Sequence, residues 1–308
     1  MKEMRGIYAI PLTPFKENLD IDYDDYRKVV EFSLACGSHG IVAPVNASEF
    51  STMTREERDR IVDLTIKTVN GAVHVSIGCT GKTVEESLSC IRYAQDKGAD
   101  SVVVMPPVES RLNGEEELYD FYAKVNDTAQ IPIFLQNIGL PTGTPMTADF
   151  MVKLIREFEH IYMIKEETEF ATHLMDRLCE LTRDLGKDVY GGHMGGKGCR
   201  YLIAEYARGV CGNMPSCHIA DILVDIWEML ESGKTELALD LYEKAMVLFN
   251  FEVLYRLPSY KEVLHRRGII KTARHRAQVP AEPMDKKAGL ELDKIVSHLR
   301  PYFKVQAI

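Results

Sequence analysis

Lys165 and Glu167 stand two residues apart in the stretch MIKEETEF, which follows the short apolar run HIY without an intervening turn residue. In a strand, alternate side chains share one face at a spacing of about 6.6 Å, so Met163, Lys165 and Glu167 point the same way. An amine is thereby set beside a carboxylate. A neutral lysine amine can attack a carbonyl and form a Schiff base, and a carboxylate next to it can move protons at the neighbouring carbons. Burying an unpaired ammonium costs several kcal/mol, so a lysine closing an apolar strand needs a reason. The residues alone leave two open: nucleophilic chemistry, or a plain ion pair of Lys165 with Glu166 or Glu167.

The elements that must hold this pair alternate along most of the chain. Strand-like runs begin at Gly6 (GIYAIPL), Gly40 (GIVAPV), Val73 (VHVSIGC), Ser101 (SVVVMPP), Ile131 (IPIFLQN), Ile161 (IYMIKEE), Asp188 (DVYGGH) and Gly209 (GVCGNMP). Amphipathic helical runs separate them, such as the one opened by Thr54 with Glu57 three residues on, and the one opened by Thr83 and closed by Gly98. Eight β-α units in about 230 residues favour a closed α/β barrel, the (β/α)8 TIM barrel, which typically takes about 250 residues and carries its chemistry at strand C-terminal ends. The expected domains are a barrel over 1–234 and a C-terminal helical extension over 235–308, whose helices are joined by RAQVPAEPMD. The basic segment HRRGIIKTARHR (His265–Arg276) reads as a solvated loop or subunit contact rather than an anion site.

With 308 residues, 45% of them hydrophobic, the chain can bury a sizeable core. Its net charge of −9 argues against nucleic acid as a partner and for a small molecule. Seven cysteines without a CxxC pair fit a reducing compartment. The opening MKEMRGIYAI lacks the apolar core of a secretory signal, and no run approaches the roughly 20 apolar residues that span a bilayer. The expectation is a soluble, cytoplasmic protein with no membrane partner.

Several motifs resemble one family. GIVAPVNASEFSTMTREER is similar to the GTTGE…L…EE region of the dihydrodipicolinate synthase and N-acetylneuraminate lyase family, IPIFLQNIGLPTG and MIKEE resemble its fifth and sixth strand ends, and PLTPF resembles its N-terminus. The order and spacing match over about residues 5–303. The resemblance implies a (β/α)8 barrel with a C-terminal helical extension, commonly a homotetramer, with no metal and no organic cofactor because the iminium is itself the electron sink. It makes Lys165 the imine-forming lysine for a 2-oxo acid, and places the carboxylate of that acid on Asn46, Ala47 and Ser48. Asn137, His193 and Met214 are counted with them as substrate-binding residues.

The departures from the family narrow the activity. Gln136 stands where the family usually has a catalytic tyrosine; it is counted with Lys165 and Glu167 in the catalytic group, although glutamine cannot transfer a proton. Pro141 replaces the arginine of dihydrodipicolinate synthase, and Pro107 and Val108 its aromatic pair, so lysine biosynthesis is not expected. Glu167 resembles the branch that dehydrates 2-keto-3-deoxy sugar acids such as 2-keto-3-deoxy-L-arabonate. The alternatives are a pyruvate-releasing aldolase and a non-catalytic barrel that binds or senses 2-oxo acids. GGHMGGKG (Gly191–Gly198) nearly matches a phosphate loop, but Gly198 replaces the hydroxyl residue and the context is wrong. CHIAD (Cys217–Asp221) has no second cluster to make a metal site.

Overall fold

The computed structural model describes residues 4–107, 109, 112, 114–276 and 284–306. Eight parallel strands follow one another in chain order and close into a barrel: β1 Gly6–Ala9, β2 Gly40–Val42, β3 His74–Gly78, β4 Ser101–Val104, β5 Ile133–Ile138, β6 Ile161–Glu167, β7 Gly192–Gly195 and β8 Gly212–Asn213. Strand residues such as Ile7, Val102, Val103, Phe134 and Ile164 are wholly buried, as expected where both strand faces are covered. The helices are α1 Tyr23–Ala35, α2 Arg55–Val69, α3 Val84–Asp96, α4 Gly114–Thr128, α5 Ala148–Glu157, α6 Ala171–Leu181, α7 Leu202–Tyr206, α8 Ala220–Glu231, α9 Thr235–Arg266 and α10 Lys286–Leu299. Among the described residues no helix is long and apolar enough to cross a membrane.

Local chemistry explains the boundaries that position the site. Thr54 and Glu57 exchange side-chain-to-backbone hydrogen bonds of 3.0 and 3.2 Å, the capping box expected at the start of α2. Gly98 follows α3 at φ +91°, the left-handed position that favours glycine. The expected strand at Asp188 begins later, at Gly192, because the amides of Val189 and Tyr190 both donate to Gly186 O and hold these residues in a turn. Strand eight is likewise shorter than expected: Gly209, at φ +73°, donates to Tyr206 O and ends the preceding helical turns.

Two compact units are resolved: His74–Met214, with the first residues of the chain, and Gly6–Val73 with Pro215–Ile308. The boundary expected between 234 and 235 falls inside the second unit. There α9 runs for 32 residues and is broken at Arg256 (φ +46°), just ahead of Pro258, whose ring and missing N–H oppose a continuous helix.

The basic segment is held by ion pairs, although the Lys271 and Arg274 side chains stay exposed. Arg267 pairs with Asp221, Lys271 with Asp22 and Asp25, Arg274 with Glu17, and Arg276 with both oxygens of Glu57 at 2.7 Å. Thr272 Oγ1 donates to Phe15 O at 2.6 Å, completing a strap over the loop that precedes α1. Of the linker RAQVPAEPMD, residues 277–283 lie outside the described residues, as does Val108.

Candidate active site

Strand alternation splits the charged end of β6 into two environments. Met163, Lys165 and Glu167 share one face, and Ile164 and Glu166 the other. Lys165 and Glu167 have side chains only 3% and 11% exposed, and their Nζ and Oε2 atoms stand 3.0 Å apart. Gln136, the β5 register partner of Lys165, donates its amide to the same Oε2 at 2.7 Å. The Lys197 amide donates to the other Glu167 oxygen at 3.3 Å. Three donors thus converge on the Glu167 carboxyl, and the Lys165 amine stands within proton-transfer reach of it.

Glu166, fully buried on the opposite face, accepts from Thr168 N and Asn137 Nδ2 at 2.7 Å each and from the Thr168 hydroxyl. Burial pushes its carboxyl up to about 7 against the pull of these hydrogen bonds, and the charge of Glu167 adds to the rise.

The structure brings together three of the expected residues, Lys165, Glu167 and Gln136. Two others stand elsewhere. Asn137 lies on the Glu166 face, where its side chain also donates to Met146 O at 3.1 Å and accepts from Met146 N at 2.8 Å. Its hydrogen-bonding capacity is committed to that loop rather than to the amine. His193 pairs in register with Ile164, also away from the Lys165 face, and meets the Tyr190 hydroxyl at 3.1 Å. Burial lowers its pKa to about 4, so the ring is neutral. Met214 follows Asn213, donates its amide to Gly195 O at 3.0 Å, and by alternation belongs with Met194, the register partner of Lys165.

Asn46, Ala47 and Ser48 form a short 3-10 turn after β2, in the second unit. Asn46 is exposed and Ala47 half-buried. Ser48 is buried, and its hydroxyl donates to Pro11 O at 2.9 Å, while its carbonyl accepts from Thr13 Oγ1 at 2.7 Å. The single proton of that hydroxyl is thus already engaged. Next to it, Glu49 forms a wholly buried pair with Lys261 and accepts from Arg276 N at 2.7 Å.

Sequence reasoning missed Glu205. It sits in α7 with no exposure, and Asn213 of β8 donates to it. Burial pushes its carboxyl up to about 8, with Glu167 and Glu166 adding to the rise. The available signal was the spacing of three from Leu202, which puts the glutamate on the buried side of a short helix. The glycines of GGHMGGKG make room for these acids: a Cβ on Gly195 would collide with the Glu205 carboxyl, and one on Gly196 with that of Glu167.

The chain matches the dihydrodipicolinate synthetase family over residues 3–299. It is 29% identical to an L-2-keto-3-deoxyarabonate dehydratase from Azospirillum brasilense over 289 residues, covering 93% of this chain and 92% of that protein. It is 30% identical to a 4-hydroxy-tetrahydrodipicolinate synthase from Phenylobacterium zucineum over 220 residues, covering 68% of this chain and 72% of the relative. Among solved structures, dihydrodipicolinate synthase from Rhodopseudomonas palustris superposes with a TM-score of 0.88 at 23% identity, over 96% of this chain and 98% of that one. A prophage protein of the same family from E. coli K12, solved in complex with pyruvate, gives 0.87 at 20% identity over 96% and 99%. With a family match running almost from end to end and the barrel in place, the chain belongs to the dihydrodipicolinate synthetase family of lyases.

Proposed function

We propose that the protein is a lysine-imine lyase that dehydrates a 2-keto-3-deoxy sugar acid. The observation that carries this reading is the single oxygen of Glu167 shared by the Lys165 amine and the Gln136 amide. In the cycle, Lys165 passes a proton to Glu167 and attacks C2 of the 2-oxo acid, and Glu167 returns that proton to the carbinolamine hydroxyl, which leaves as water to give an iminium. The iminium withdraws electrons from C3, Glu167 takes the C3 proton, and the same carboxyl returns a proton to the C4 hydroxyl as it departs. Water then hydrolyses the imine and frees Lys165, so the net change is loss of one water. By resemblance to the family, Asn46, Ala47 and Ser48 are the residues assigned to the substrate carboxylate. A homotetramer is part of the same reading.

Two observations support dehydration over carbon–carbon cleavage. Gln136 offers no phenol to accept the C4 hydroxyl proton that a retro-aldol step must remove. A relative matched over 92% of its length is named for dehydrating a 2-keto-3-deoxy acid, although other relatives are named as synthases.

Two measurements test the proposal. Borohydride reduction in the presence of pyruvate is expected to leave an adduct on Lys165, located by peptide mass mapping and absent in Lys165→Ala. Incubation with 2-keto-3-deoxy pentonates and hexonates, read by NMR, is expected to give a keto acid of unchanged carbon number. Pyruvate plus an aldehyde would establish an aldolase instead; trapping and turnover both absent would leave a binding protein.

A further inference from the structure

Behind the strand ends, two buried acceptors have nothing to accept. Glu205 and Asn213 are both wholly buried, and Asn213 Nδ2 donates to Glu205 Oε2. Glu205 Oε1 and Asn213 Oδ1 have no hydrogen-bond partner among the described residues. A buried acceptor left unmet costs free energy, so a pair of them needs an explanation. Turning the Asn213 amide over is no remedy, because it would set Oδ1 against the carboxyl oxygen that Nδ2 now serves.

Register explains how the two side chains meet. Glu166 of β6, Gly195 of β7 and Asn213 of β8 stand side by side on three neighbouring strands, and by alternation they share the face away from Lys165. The middle position carries no side chain. Glu205 comes from α7 into that gap, where a Cβ on Gly195 would collide with both Glu205 Oε2 and Asn213 Nδ2. Glu166 already spends its oxygens on Thr168 and Asn137. The charges acting on Glu205 are those of Glu167 and Glu166, both acids.

The unmet atoms are oxygens, one of a carboxyl and one of an amide, so the guest that suits them is positively charged. We propose that Glu205 Oε1 and Asn213 Oδ1 bind a monovalent cation of potassium size. Oxygen donors suit such hard ions. A divalent ion needs more carboxylates than are free here, and among the described residues no group of three or more His, Cys, Asp and Glu could hold a metal. A single positive charge also offsets the repulsion of Glu205 by Glu166 and Glu167. The competitor is a proton on Glu205, whose carboxyl burial pushes up to about 8, so the cation binds best above that pH.

The test is the urea midpoint of the full-length protein at pH 9, in potassium chloride and in tetramethylammonium chloride of equal ionic strength. Potassium is expected to favour the folded state in a saturating manner, by about a hundredfold in the folding equilibrium at about 100 times its dissociation constant. Tetramethylammonium, too bulky for a buried pair of oxygens, is expected to give no such gain. Glu205→Gln and Asn213→Ala are each expected to abolish the difference between the two salts. If the glutamine variant does not fold, Asn213→Ala poses the same question. Crystals soaked in thallium(I), an ion of potassium size with strong anomalous scattering, are expected to show a peak in contact with Glu205 Oε1 and Asn213 Oδ1. Equal wild-type midpoints in the two salts would overturn the proposal and leave a proton as the guest of Glu205. A potassium gain kept by the variants, or thallium absent from this pair of oxygens, would overturn it as well.

Discussion

The Gln136 amide and the Lys165 amine converge on one oxygen, Glu167 Oε2, at 2.7 and 3.0 Å. By donating its N–H there, Gln136 fixes the direction of the carboxylate. Gln136→Leu removes a hydrogen bond to a charged group, worth about 1.5–3 kcal/mol. Pyruvate deuterium exchange is expected to slow about 10–100-fold by the same conversion, with borohydride trapping at Lys165 retained. An unchanged exchange rate would show that the amide is a bystander.

Glu167→Gln keeps the shape of the side chain and deletes its proton-accepting ability. Exchange and turnover are expected to fall by about 10²–10⁴-fold, the usual worth of a positioned acid or base. Mass mapping after borohydride reduction should still find the Lys165 adduct. Retained turnover would reduce the Lys165–Glu167 contact to a structural ion pair.

The two raised carboxyls predict how stability depends on pH. Glu166 and Glu205 bind protons more tightly folded than unfolded, about 7 and about 8 against a usual 4.5, so each contributes stability that is present at low pH and lost as pH rises. His193, lowered to about 4 from 6.5, works in the opposite sense below 6.5. The clear window is therefore pH 6.5–8, where urea midpoints of the wild type are expected to decline with a slope approaching 1.4 kcal/mol per pH unit for each group still titrating, about one proton's worth. Glu205→Gln should flatten the upper part of that decline. A flat wild-type curve would contradict the burial assigned to these acids.

In the second unit, Lys261 is wholly buried against Glu49, 4.3 Å from the Phe15 ring centroid, and donates to Arg274 O at 2.8 Å. Lys261→Met alone leaves a buried carboxylate without its cation and is expected to destabilise by about 3–5 kcal/mol. Combining it with Glu49→Leu removes both charges and should recover most of that loss in denaturant titrations. Additive losses would mean the two side chains act independently.

The barrel was legible because its signals are local: capping residues such as Thr54 and Thr83 and apolar runs such as SVVV stand beside one another in the chain. Lys165 and Glu167 were legible because a period of two fixes which side chains of one strand share a face, while Gln136 was found through the family resemblance. The same period, applied to neighbouring strands, would have set Asn137 and His193 on the opposite face, but their registers against Glu166 and Ile164 are tertiary facts that no single strand encodes. The pairings of the strap from Lys271 to Arg276 were illegible for a like reason. Its acidic partners Glu17, Asp22, Asp25 and Glu57 lie more than two hundred residues earlier, where nothing in the sequence marks them as partners.

Because one unit is a single long run apart from the first residues of the chain, while the other is made of two long and distant pieces, the order of synthesis matters. Residues 74–214, including Lys165 and Glu205, leave the ribosome as one uninterrupted stretch. The piece Gly6–Val73 emerges first but must wait for Lys261 and Arg276 before Glu49 and Glu57 find their cations. At about 5–20 residues per second, that delay is roughly ten to forty seconds. During this interval the cations of these two pairs, Lys261 and Arg276, have yet to be made.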